Sequence, residues 1–348
     1  MPGHVMIEVV PAAAGMRDAG GDVDDLSTIL GRVAGRLSER WRVGSSLLSS
    51  MCAHALVPAG KLFRPALLIE SALAVGGDVE TVLPAAVGAE CGHVASLVHD
   101  DIIDGDDLRR GRPSVQHQFG VDNAIVAGDA LIFDLFVGLA ECRAAGAPAE
   151  RIVAALEVVA RCGIDLCRGQ SLESELCARV DFDLEAYLTM VTLKTAALFK
   201  GACECGALLA GGDEVMVRAL SVYAENLGAA FQIHDDLLAY TRGTGATGKP
   251  DTSDVRNGRL TMPVILAHRA ADAVGRLAID EALHGDGDPV TRRAGLVEIL
   301  ERTRALPAAQ ELARRYTDAS IMALRALPPT PSRDRLRGFA EAAINRDR

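Results

Sequence analysis

The run that most constrains this chain is residues 100–112, DDIIDGDDLRRGR, at the end of an apolar stretch. Asp100 and Asp104 are four apart, so on a helix they share a face one turn apart, with Asp101 beside them. Val87, Cys91, Val94, Ala95, Val98 and Ile102 keep helical spacing, and Gly105 is a natural stop. Three carboxylates gathered at the end of an apolar helix repel one another and call for a hard cation. Mg²⁺ prefers a few carboxylates together with waters and phosphate oxygens. Arg109 and Arg110 follow, permanently charged forks suited to phosphate. The combination describes a diphosphate site. Taken alone, the same run reads equally well as a solvated acidic turn followed by a basic one.

The device recurs. Residues 231–236 read FQIHDD, an apolar helical approach (Leu227, Ala230, Phe231) into Asp235 and Asp236. A glycine-rich loop with Lys249 and Arg259 comes after it. Two acidic helix ends, each followed by basic residues, suit the gripping of one diphosphate from two sides.

With both devices in view, the chain resembles an all-trans polyprenyl diphosphate synthase from about residue 47 to its end. The resemblance rests on GKLFRP (60–65), HDDIIDGDDLRRGRPS (99–114), AGDAL (127–131), GQ (169–170), LKTAAL (193–198), FQIHDD (231–236), GKPDTSD (248–254) and NRDR (345–348), all in the family's order. One departure stands out: the second aspartate motif is DDLLA, with Ala239 where the family has a third aspartate.

The resemblance implies an all-α, single-domain, barrel-like bundle of helices around a deep central cavity. It also implies a transferase that condenses isopentenyl diphosphate with an allylic diphosphate. Mg²⁺, as three ions, would be held by Asp100, Asp104 and Asp235, with Asp101 and Asp236 in support. Lys61, Arg64, His93 and Arg110 would bind isopentenyl diphosphate. Arg109, Lys194 and Lys249 would meet the leaving diphosphate, Lys249 from a lid, while Thr195 and Gln232 steady that group and the carbocation. Arg259 stands where the family usually has lysine, which keeps the charge and changes its geometry. A homodimer is implied as well.

Composition agrees with an all-helical chain. Aromatics are only 4% of the 348 residues, and apolar residues recur at helical spacing between Gly and Pro punctuation. No linker-like break divides the chain, so one catalytic domain is expected over residues 23–348, after a loose Gly/Ala-rich tail over residues 1–22. The net charge of −11 argues against nucleic acid as a partner, but not against an anionic substrate brought in with Mg²⁺. Eight scattered cysteines without metal-ligand spacing read as core residues in a reducing compartment. No signal peptide opens the chain and no uninterrupted apolar run suggests a membrane span, so a cytoplasmic protein is expected.

Smaller expectations follow along the chain. Asp24 or Asp25 is an N-cap candidate for a first helix, and Pro65 suits the first turn of another. Glu173 and Glu175 read as acidic surface, and Pro307 as a break before a helix from about Ala308. The substrate tail should run from Asp100 back along its helix, past Ser96, Ala95, Gly92 and Ala89. All are small, where short-chain members of the family carry a bulky aromatic. Phe133 and Phe136 read as core, with either able to floor the cavity, and products of geranylgeranyl length or longer are expected. Two other readings share the scaffold. One is a terpene cyclase, disfavoured by the intact isopentenyl set; the other is a non-catalytic subunit, disfavoured by five aspartates kept of six.

Overall fold

The computed structural model describes residues 25–241 and 253–345. The expected tail, Lys249 and the last three residues of the NRDR motif lie outside them. In chain order the helices are α1 (Leu26–Arg40), α2 (Leu47–Leu56), α3 (Phe63–Ala74), α4 (Val79–Asp104), α5 (Val115–Phe119), α6 (Val121–Glu141), α7 (Ala149–Arg179) and α8 (Leu184–Val191). They continue as α9 (Ala197–Ala210), α10 (Glu214–Thr241), α11 (Ser253–Arg256), α12 (Met262–Ala270), α13 (Ala273–His284), α14 (Pro289–Arg302), α15 (Ala305–Ala323) and α16 (Pro331–Ala343). A two-residue ribbon, β1 (Leu108–Arg109) against β2 (Arg112–Pro113), is the only sheet among the described residues.

The helix that carries the first aspartates is bounded as its sequence dictates. Asp78 accepts from the Thr81 N–H at the start of α4, and Gly105 ends it in the left-handed conformation at φ 64°. Pro65 sits in the first turn of α3. Asp25 takes the expected N-cap position of α1, though its side chain makes no cap bond. One local expectation fails. Pro307 lies inside the first turn of α15, which begins at Ala305, because a first-turn proline sacrifices no helical hydrogen bond.

Buried apolar residues form two clusters. One joins the N-terminal helices to α9 and α16; the other joins α8 to α12–α15. Helix α10 belongs to both, giving Leu220, Tyr223 and Leu227 to the first and Ile233, Leu237 and Tyr240 to the second. Its second half, with the second aspartate pair, therefore lies where the two clusters meet. Helices α4 and α6 pack without clearance: a Cβ on Gly138 would stand 2.6 Å from the Pro84 carbonyl oxygen. The C-terminal helix is pinned behind α3, where Arg335 Nε donates to Glu70 (2.7 Å) and Tyr223 donates to the Leu336 carbonyl (2.6 Å).

By length and composition alone α4 and α6 are apolar enough to cross a membrane, which the sequence reading did not anticipate. In the fold 72% of the apolar stretch of α4 is buried, against 39% of that of α6. All eight cysteines are free, and six of them are buried.

Candidate active site

A cavity of about 1390 Å³ opens between the two clusters. That exceeds the roughly 300–1,000 Å³ of ordinary small-molecule pockets. Its mouth is charged and its depth apolar, and the charges come from the ends of α4 and α10, the ribbon, α7 and the segment between α8 and α9.

At the end of α4 each aspartate meets a different cation. Asp100 lies 3.4 Å from Lys194 Nζ, and Asp104 is 2.5 Å from Arg259. Asp101 is buried and gripped by the Arg109 guanidinium through both of its oxygens. Asp101 and Arg109, expected to serve metal and diphosphate, are thus committed first to each other. Burial alone would lower the pKa of Arg109, but Asp101, with Asp100 and Asp106 nearby, raises it and holds the charge.

The ribbon explains how two adjacent arginines part company. Arg110 takes a left-handed conformation (φ 53°), and Gly111 follows at φ 71°. Arg109 turns back to Asp101, while the Arg110 guanidinium packs on Gly60, where a Cβ would stand 2.4 Å from its Nη2. The GKLFRP loop and the arginine turn are therefore in contact. Lys61, Arg64, His93 and Arg110 all line the cavity. Arg64 is stacked over the Phe199 ring at 4.8 Å, and burial pushes it down to about 10 against the pull of Glu90 and Asp235. His93 is driven well below its ordinary range, first by burial and then by Arg64, Arg110 and Arg109. Its Nδ1, the Arg64 Nε and the Glu90 Oε2 are buried without a hydrogen-bond partner among the described residues. The Arg64 N–H, a donor kept in that condition, fits a ligand that arrives with its own acceptors.

Between α8 and α9 the chain runs through a π turn, Thr192–Ala196, that carries Lys194 and Thr195. Such turns are frequent at functional sites. It is clasped by two glycines: a Cβ on Gly169 would stand 2.4 Å from the Lys194 nitrogen, and one on Gly228 2.6 Å from Ala196. Lys194 Nζ is 2.6 Å from Glu173 Oε2. The reading of Glu173 as acidic surface is corrected here, since α7 turns it into the cavity. Helical spacing from Gln170 was the signal that could have found it, as Gln170 Nε2 donates to the same oxygen (3.3 Å).

On α10, Asp235 lines the cavity beside Gln232. Asp236 reaches its edge but is engaged from behind. Gln232 donates to Asp236 Oδ1 (2.9 Å), and Tyr187 and the Met262 N–H (2.8 Å) donate to Oδ2. Thr195 in turn donates to Gln232 (2.8 Å). Burial pushes Asp236 up to about 7, against the opposing pull of Tyr187, Met262 and Gln232. Asp236, expected to support the metal, thus lines the cavity while already holding three protein donors. Tyr187 carried no sequence signal, because an aromatic at helical spacing reads as core.

The tail wall is partly revised. Ser96, Gly92 and Ala89 line the cavity along one face of α4, together with Ala85. Ala95 does not; it is fully buried in the first apolar cluster, one residue round the helix. Gly92 is also small for packing reasons, since a Cβ there would meet Leu135 Cδ2 at 2.9 Å. Phe136 lines the cavity, whereas Phe133 is 70% exposed and neither core nor floor.

An all-helical fold with two acidic helix ends at the charged mouth of one deep apolar cavity defines an isoprenoid-synthase type of protein. Residues 45–299 match the polyprenyl synthetase family, and the chain belongs to it; it is a prenyltransferase. It is 34% identical over 294 residues to a short chain isoprenyl diphosphate synthase of Methanothermobacter thermautotrophicus, covering 84% of this chain and 89% of that one. It is 34% identical over 300 residues to heptaprenyl diphosphate synthase component 2 of Geobacillus stearothermophilus, covering 86% and 90%. The structure matches that of a Caulobacter crescentus polyprenyl synthase complexed with calcium and isoprenyl diphosphate, with TM-score 0.85, 28% identity and coverage of 92% and 95%.

Proposed function

We propose that this enzyme condenses isopentenyl diphosphate with an allylic diphosphate to give an all-trans polyprenyl diphosphate of geranylgeranyl length or longer. The observation that carries the reading is one mouth with two differently built anion sites above one long apolar cavity. Asp100 and Asp235, with Lys194 and Arg259, form the first. Lys61, Arg64, His93 and Arg110 form the second.

The donor set fits a hard divalent cation such as Mg²⁺. The cavity is lined by Asp100, Glu173, Asp235, Asp236 and Asp254, and no compact group of three or more His, Cys, Asp or Glu is found among the described residues. A preformed protein cage is not what Mg²⁺ requires, because it completes its shell with waters and substrate phosphate. Asp100, Asp104 and Asp235 would hold it, as up to three ions; when bound, it supplies positive charge to the diphosphate that departs. The cations now on Asp100 and Asp104 mark where that charge is wanted.

The chain's own residues then act in sequence. Lys194 and Arg259 attract the allylic diphosphate, and Lys249 would close over it. The Thr195–Gln232–Asp236 chain fixes the Gln232 amide oxygen at the cavity edge, where it faces the nascent allylic cation. Arg64, Arg110 and Lys61 hold the second diphosphate so that the isopentenyl double bond attacks C1 of that cation. One proton leaves, taken by the departed diphosphate. The apolar wall from Ser96 to Ala85, about 16 Å of helix, receives the tail, and Phe136 sets its side limit. We further propose residues 23–348 as one catalytic unit, a homodimer, and a cytoplasmic location. The exposed apolar residues Phe133 and Val137 on α6 support a covered face.

Purified protein incubated with isopentenyl and farnesyl diphosphates and Mg²⁺ should yield products of twenty carbons or more by mass, and none with chelator. A protein that ionises allylic diphosphates yet never condenses them would instead be a cyclase.

A further inference from the structure

We propose that Glu173 is a positioning residue that competes with Asp100 for the Lys194 ammonium, so that a divalent cation displaces the lysine from Asp100 more readily. The inference rests on the diphosphate site proposed above. Lys194 Nζ stands between two carboxylates, 2.6 Å from Glu173 Oε2 and 3.4 Å from Asp100 Oδ1. All three side chains are largely covered, at 19% exposure for Lys194, 18% for Glu173 and 23% for Asp100. A covered ammonium needs a carboxylate partner, so the lysine takes whichever is offered.

The local architecture favours Glu173. Gly169 lets α7 approach the Lys194 backbone, which fixes the root of the lysine, and Gln170 braces the Glu173 oxygen that receives it. The π turn sets Lys194 on the α7 side of the mouth. The ammonium lies within ion-pair distance of both carboxylates and competes for Asp100 like any other cation. Without the Glu173 charge, Lys194 keeps Asp100 but loses its shorter ion pair. A divalent ion would then have to displace the lysine from Asp100 with no second carboxylate to receive it. Glu173 acts through Lys194 and need not touch metal or substrate itself.

The test is a double-mutant cycle on the full chain, read by direct Mn²⁺ binding with electron paramagnetic resonance and without substrate. Four proteins are compared: wild type, Glu173→Gln, Lys194→Gln and the double variant. Glu173→Gln should weaken Mn²⁺ binding about 10-fold, within the range of about 10–100-fold for outer-shell losses at metal sites. In the Lys194→Gln background the same change should alter binding by less than about 2-fold, because there is no ammonium left to displace. The Mg²⁺ concentration for half-maximal turnover should move in parallel. An equal loss in both backgrounds would make Glu173 a ligand or a general negative charge and overturn the inference, as would no loss in the wild-type background. If Glu173→Gln fails to fold by circular dichroism, Glu173→Ala, which also removes the charge, takes its place in the cycle with the same criteria. Failure of the wild type to condense substrates would sink the functional proposal and leave the metal-binding cycle readable.

Discussion

The ends of α4 and α10 begin from the same pattern, a pair of aspartates closing an apolar helical run, and finish as different devices. At α4 each of three carboxylates meets its own cation: Lys194 at Asp100, Arg109 at Asp101 and Arg259 at Asp104. At α10 the second aspartate is engaged by Tyr187, Gln232 and a backbone N–H, and the third position is Ala239. In both helices the first aspartate lines the cavity. The second is turned by about 100° of helix and held by protein donors. The shared motif thus specifies one cavity carboxylate and one anchor. What distinguishes the two ends is whether a further carboxylate joins the first.

The comparison is broken most directly at Asp235 and Asp236. Asp235→Ala should lower turnover about 10³-fold, the scale of losing a group that stabilises developing charge. Asp236→Asn should cost turnover far less and alter stability instead. Asp236 has its pKa raised from an ordinary 3.8 to about 7. The native state therefore holds the extra proton between about pH 4 and 7, and stability must fall as pH rises through that window, then level off. Melting temperatures of metal-free wild type should show this fall, on the order of 4 kcal/mol in total, and Asp236→Asn should lack it. Equal turnover losses for the two variants would remove the distinction between ligand and anchor.

A smaller effect is expected from restoring symmetry. Ala239 lines the cavity, so Ala239→Asp places a third carboxylate at the α10 end. The Mg²⁺ concentration for half-maximal turnover should drop about 10-fold, the lower edge of outer-shell effects. An unchanged Mg²⁺ requirement would mean that the α10 end needs only Asp235.

The smallest change in rate, though a visible one in product, concerns the wall beneath Asp100. Ser96→Phe places a ring in the cavity and should shorten the product with the first condensation intact. Ala95→Phe, in the packed core beside it, should cost about 1–3 kcal/mol of stability and leave product length unchanged. Mass analysis and thermal melts separate the two. Shortening by Ala95→Phe alone would overturn the placement of the tail.

Much of the fold was legible because it is local. The helical period of the apolar residues, Asp78 and Gly105 at the ends of α4 and Pro65 at the start of α3 act within a turn of themselves. The candidate site was legible where charge had no other reason to sit among apolar residues, as at Asp100, Lys194 and Arg64. It failed where the answer depended on a neighbour distant in sequence. Glu173 looked like surface because nothing near it in sequence reveals Lys194 across the cavity. Phe133 and Phe136 looked alike until packing put one in the cavity and the other outside it.

By itself the sequence determined the elements and the clusters: which segments are helical, and where the carboxylates and guanidinium groups gather. Those follow from hydrophobic period and from the cost of unpaired charge, and both are written residue by residue. Only the tertiary structure decided which oxygen faces the cavity. Asp101 and Asp236 carry the same carboxylate as Asp100 and Asp235, yet Arg109, Tyr187 and the Met262 N–H arrive from other elements and hold their oxygens. A hydrogen bond is short and directional, so its partner is fixed by where helices cross, and the crossing is a property of the packed chain as a whole.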